Sequence, residues 1–141
     1  MPFLQKELST AIAAVIRASK LTQKIFASLQ IGQVSSAATV TKLDKSPVTI
    51  ADYGSQAIVN AILRSVFPKD PIVGEEDANE LRTNPELREK VWKLVSCTLQ
   101  ETPSEELEQD GGLIKSDEEM MNLIDQGGFS GGSLGRKWDF F

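Results

Sequence analysis

Residues 50 to 77 read IADYGSQAIVNAILRSVFPKDPIVGEED, and this stretch decides the fold. Ile58, Ala61, Ile62 and Val66 recur at steps of three and four, so they share one face of a helix predicted over about 50–66. Pro68 ends it, because a proline ring clashes with the preceding turn and has no N–H to donate. The tight Pro68-Lys69-Asp70-Pro71 connection leads into a short apolar run, Ile72-Val73, predicted as a strand that closes on Gly74-Glu75-Glu76-Asp77. Polar side chains at the carboxyl end of a strand, next to a helix, stand where layered architectures bind ligands. The fold class that follows is α+β.

Upstream, Leu4, Leu8, Ala11, Val15, Ala18, Thr22, Ile25 and Leu29 alternate at steps of four and three, predicting one long helix over 2–29 with that line buried. Ile12, Ile16 and Phe26 widen the line beyond a coiled-coil seam, which favours core packing over a zipper. Gly32 closes the helix region, and the β-branched run Thr39-Val40-Thr41 predicts a strand over 38–43. The polar turn Asp44-Lys45-Ser46-Pro47 follows. Downstream, Asn84-Pro85 reads as a cap followed by proline at the first helical position, with Leu87, Val91, Leu94 and Val95 on the buried face. Residues 99–115 are polar and acidic, predicting a mobile excursion. Ser116 with Glu119 forms a capping box for a short helix through Ile124. The glycine-rich tail 127–141 lacks the GK[ST] ending of a phosphate loop and reads as loop. The whole chain, 1–141, fits one domain or a large part of one.

Composition narrows the chemistry. With no histidine, Ser-His-Asp and Cys-His catalysis and HExxH zinc sites are excluded. A single cysteine, Cys97, leaves no intramolecular disulfide and no cysteine-built zinc site. A net charge of −5 argues against a nucleic-acid polymer as partner, though not against a phosphate reached through a cation. No run approaches the roughly 18 apolar residues of a membrane span, and the first residues lack the order of a signal peptide, so a cytoplasmic location is expected. Any chemistry falls to carboxylates and a hard metal ion.

Asp52, Glu75 and Glu76 are the candidates. Oxygen ligands of this kind suit Mg²⁺, which takes one or two carboxylates and keeps room for phosphate and water. Each also has a plainer reading. Thr49-x-x-Asp52 fits a capping box, and Glu75-Glu76-Asp77 fits a solvated acidic turn. Lys42, Lys45 and Arg136 read as solvated surface charge, Cys97 as a small core residue, and Trp92 and Trp138 as packing.

The segment Lys42-Leu43-Asp44-Lys45-Ser46-Pro47-Val48-Thr49-Ile50-Ala51-Asp52, with Gln56 one turn on, resembles the bisphosphate nucleotidases of the inositol-monophosphatase superfamily. So do Phe67-Pro68 through Ile72-Val73-Gly74-Glu75-Glu76, the superfamily's first metal motif, and Gly131-Gly132-Ser133-Leu134-Gly135-Arg136-Lys137-Trp138, the approach to its second. The resemblance implies the amino-terminal part of the layered sugar-phosphatase fold. It also implies a Mg²⁺-dependent, lithium-sensitive type of phosphatase that hydrolyses 3′-phosphoadenosine 5′-phosphate to AMP and phosphate. Carried over, Glu75 is a magnesium ligand, Glu76 supports it through water, and Asp52 holds the attacking water and accepts its proton. The family continues after Trp138 into Asp-Pro-Ile-Asp-Gly-Thr, whereas here Asp139-Phe140-Phe141 follows, so the 141 residues are expected to be inactive alone. Inositol monophosphatase is the enzyme alternative. A truncated fragment that associates with a full-length relative is the non-catalytic one.

Overall fold

The structure, a computed structural model, describes residues 4–34, 47–101 and 112–127. They form five helices: α1 (Gln5–Val34), α2 (Pro47–Val66), α3 (Asn79–Thr83), α4 (Pro85–Glu101) and α5 (Asp117–Gln126). Helix α2 is central and packs on α1, α4 and α5. Its buried Ala57, Ile58, Ala61 and Ile62 meet Leu81 of α3, Leu87, Val91 and Val95 of α4, and Met120, Leu123 and Ile124 of α5 in one core. The apolar lines read from the sequence for α2 and α4 are therefore the ones that face inward.

The buried line of α1 is not the expected one. Thr10, Ala14, Arg17 and Leu21 face the core, while Leu4, Leu8, Ile12, Val15, Ile16 and Phe26 are 48–65% exposed. The partner explains the choice. Helix α2 presents small residues, Gly54, Ala57 and Ala61, and a Cβ on Gly54 would lie 2.8 Å from Leu21 Cδ1. That close approach admits the narrow face of α1 and selects it over the bulkier one. The two polar members of the buried line bond to their own helix: Thr10 Oγ1 donates to Lys6 O at 2.7 Å and Arg17 Nη1 to Ala13 O at 3.1 Å.

No strand occurs among the described residues, so the α+β class is not found in them. Ile72-Val73 is neither helix nor strand, with Ile72 buried and Val73 exposed, and it has no neighbouring strand among the described residues to pair with. One ladder-like bond remains, from Gly74 N–H to Gly127 O. The strand expected over 38–43 lies outside the described residues, as do Lys42, Lys45, Arg136, Trp138 and the tail from 128.

Helix boundaries moved too. Pro47 is the first residue of α2, so Thr49 sits inside the first turn and is not its cap. The capping-box reading of Asp52 falls with it. Asn84 caps α4 as expected, its Oδ1 accepting from Leu87 N–H at 3.1 Å. Helix α4 continues to Glu101 with Leu99 buried, so the excursion expected from residue 99 does not begin there; residues 102–111 lie outside the described set. Ser116 caps α5, its Oγ accepting from Glu119 N–H at 3.1 Å. Glu119 reaches back to the Lys115 N–H at 2.7 Å, one residue before the cap. Cys97 is exposed, not a core residue: it faces Lys24 and Glu101 at the α1–α4 edge. Among the described residues no helix is long and apolar enough to cross a membrane.

Candidate acidic site

Asp52 stands exposed in the second turn of α2. One turn further along the same face, Gln56 reaches the acidic segment. Its Oε1 accepts from Glu76 N–H at 3.0 Å and its Nε2 donates to Glu76 O at 2.8 Å. The same Nε2 donates to Ile124 O at 2.9 Å. The amide thus ties α2, the 74–76 main chain and the end of α5 together. A side chain at Gly74 or Gly127 would have to displace the Gln56 amide. A Cβ at Gly74 would lie 2.6 Å from Gln56 Oε1, and one at Gly127 would lie 2.8 Å from Gln56 Nε2.

The carboxylates gathered by this arrangement repel one another. Burial pushes the half-buried Glu76 carboxyl above its ordinary range, and the negative charges of Asp52, Glu75, Asp77 and Glu80 push it further in the same direction. Asp77 is engaged locally, its Oδ1 accepting from Asn79 N–H at 2.9 Å. Glu80 accepts from the Tyr53 hydroxyl at 3.1 Å. Among the described residues no cation pairs with Asp52, Glu75 or Glu76.

The donor set fits a hard divalent cation in kind. It is all carboxylate oxygen, carries excess negative charge, and includes two exposed members with no protein partner among the described residues. It is not a closed cage: among the described residues no three such side chains converge closely enough to hold an ion on their own.

The sequence reading singled out Asp52, Glu75 and Glu76, and the structure sets the Glu76 main chain against Gln56, one turn along α2 from Asp52. It missed what holds them. Gln56, Asn60 and Arg64 form a polar line at steps of four along α2. Asn60 Nδ2 donates to Leu123 O at 2.8 Å and Arg64 Nε to Gln126 Oε1 at 2.9 Å. Gln56 and Asn60 thus bond carbonyls in the last turn of α5, Ile124 O also accepting from Gly127 N–H at 3.1 Å, while Arg64 holds the Gln126 side chain. Asp125 joins from the other side, accepting from Ala78 N–H at 2.8 Å and pairing with Arg82 at 2.5 Å. The available signal was the spacing itself, three polar residues at helical period beside an apolar line.

No family model matches the chain. Individual relatives do. It is 54% identical over 133 residues to a 3′(2′),5′-bisphosphate nucleotidase of Schizosaccharomyces pombe. The chain is a homologue of the bisphosphate nucleotidases. It is also 43% identical over 135 residues to the nucleotidase of that name from Emericella nidulans, and 38% over 138 residues to 3′(2′),5′-bisphosphate nucleotidase 1 of Arabidopsis thaliana. These matches take in 94–95% of this chain and 36% of each relative, so the chain spans about a third of the length of the curated relatives it matches. The bisphosphate nucleotidases have the inositol-monophosphatase fold.

Proposed function

We propose that these residues supply the first carboxylates of a phosphatase that removes the 3′-phosphate of 3′-phosphoadenosine 5′-phosphate, giving AMP and phosphate with Mg²⁺ as cofactor. The observation that carries the reading is the pair of bonds from Gln56, one turn from Asp52 on α2, to the main chain of Glu76, in a region where no cation among the described residues pairs with Asp52, Glu75 or Glu76. The names of the relatives agree with it. In this reading Glu75 holds the cation directly and Glu76 supports it through a water. Bound there, Mg²⁺ would offset the charge of the phosphate and make water a stronger acid. Asp52 orients the attacking water and takes its proton, and its exposed place on α2 leaves it open to solvent. The sugar-phosphatase fold of α+β class, a phosphorylated nucleotide as partner and a cytoplasmic setting complete the proposal. The exposed free thiol of Cys97 suits a reducing compartment.

A chimera tests the reading, with this chain replacing the matching 36% of the Schizosaccharomyces pombe relative. The expected result is Mg²⁺-dependent phosphate release from 3′-phosphoadenosine 5′-phosphate, faster than from inositol monophosphate. Glu75→Gln and Asp52→Asn should each lower kcat on the order of 100-fold. An inactive chimera beside an active parent, or full activity in Glu75→Gln, overturns it. Preference for inositol monophosphate moves the assignment to that branch.

A further inference from the structure

We infer that Gln56 is the positioning residue of the proposed acidic site: its side-chain amide registers the 74–76 main chain against α2, so that Glu75 and Glu76 are carried beside Asp52. The inference rests on the reading of those three carboxylates given under Proposed function.

Gln56 meets residue 76 as a neighbouring strand would, accepting from its N–H at 3.0 Å and donating to its carbonyl at 2.8 Å. Only a side-chain amide offers an acceptor and two donors in one plane, and the second donor is used on Ile124 O at 2.9 Å. The amide is also walled in. Gly74 and Gly127 approach it so closely that a Cβ on either would displace it, and Gly74 N–H closes the ring onto Gly127 O. Gln56 lies one turn from Asp52, so the residue proposed as proton acceptor and the clamp on the two glutamates share a helix face. Like charges held this near drive a free segment apart, and pinning the main chain of residue 76 opposes that motion. Asn60 is the internal comparison. It bonds the same end of α5, at Leu123 O, yet makes no hydrogen bond to residues 74–76.

The test is Mn²⁺ binding to the 141-residue chain, followed by electron paramagnetic resonance, with folding checked by circular dichroism. Four proteins are compared: wild type, Glu75→Gln, Gln56→Met and Asn60→Leu, the last two keeping approximate shape while deleting the amide. Both amide deletions strip bonds from α5 and should lower stability. Only Gln56→Met should weaken Mn²⁺, by about 10-fold or more, the usual cost of removing a residue that orients a ligand. Equal affinities for Gln56→Met and Asn60→Leu, with binding lost in Glu75→Gln, overturn the positioning role and leave the functional reading standing. No binding by wild type, or undiminished binding by Glu75→Gln, overturns the reading and the inference together. Should Gln56→Met fail to fold, Gly74→Ala decides. It leaves Gln56 in place and drives its amide from the segment, so weakened Mn²⁺ binding supports the inference and unchanged binding overturns it.

Discussion

Tyr53 is buried and donates its hydroxyl to Glu80, and it is the chain's one tyrosine. Burial first, and the Glu80 carboxylate second, push its phenol up to about 12. A folded value above the unfolded one means that stability is intact below the ordinary phenol range and falls as pH rises through about 10 to 12. Tyrosinate absorbance should therefore rise with a midpoint near 12 in the native protein and near 10 in urea; a native midpoint near 10 would contradict the buried hydrogen bond. Glu76 follows the same sign. Its raised folded value costs stability as pH climbs past the ordinary carboxyl range, because the folded state must give up a proton it holds more tightly. In metal-free buffer, Glu76→Gln should raise the urea midpoint at neutral pH and lose that advantage in acid. A lowered midpoint at neutral pH would show that Glu76 is not under strain. At this scale the three acids were legible from their order along the chain. The clamp was not, since Gln56 bonds to main-chain atoms 20 and 68 residues away and such bonds leave no local periodicity.

Helix α1 shows how far periodicity reaches at the scale of an element. Apolar residues lie around most of its circumference, so the pattern establishes a helix without establishing which face is buried. The small residues of α2 make that choice, with Gly54 admitting Leu21. Two chemically identical substitutions test it. Leu21→Ala, at 0% exposure, should cost about 2–5 kcal/mol of unfolding free energy. Leu8→Ala, at 61% exposure, should cost less than about 0.5 kcal/mol. A larger cost for Leu8→Ala than for Leu21→Ala would mean that the expected face, not the observed one, is buried. The α5 cap and the Asn84 cap were legible because capping is local chemistry. Ile72-Val73 is not paired as a strand among the described residues, and two residues are too few to specify the partner that defines one.

Over the whole molecule, Leu4, Leu8, Ile12, Val15 and Ile16 leave a row of large apolar side chains in water along α1. Such a row is an association liability. Sedimentation should show concentration-dependent self-association, and the double change Leu8→Ser with Ile12→Ser should reduce it without lowering the urea midpoint. A monomer at all concentrations, or a double variant that unfolds, would contradict the exposure. The helical frame was legible from sequence, while the strand expected to carry Glu75 and Glu76 is not found among the described residues. The layered sheet was expected from two runs, one of which falls outside the described residues while the other pairs with no strand among them.

The central claim is that Asp52, Glu75 and Glu76 form one cation site, and the most direct measurement is a Mg²⁺ titration of the isotopically labelled chain followed by backbone amide shifts. The expected result is a saturable set of shifts confined to Asp52 and its helical neighbours and to Gly74, Glu75, Glu76 and Asp77, absent in Glu75→Gln. Shifts centred instead on the acidic first turn of α5 at Asp117, Glu118 and Glu119, or no saturable shift anywhere, would contradict it.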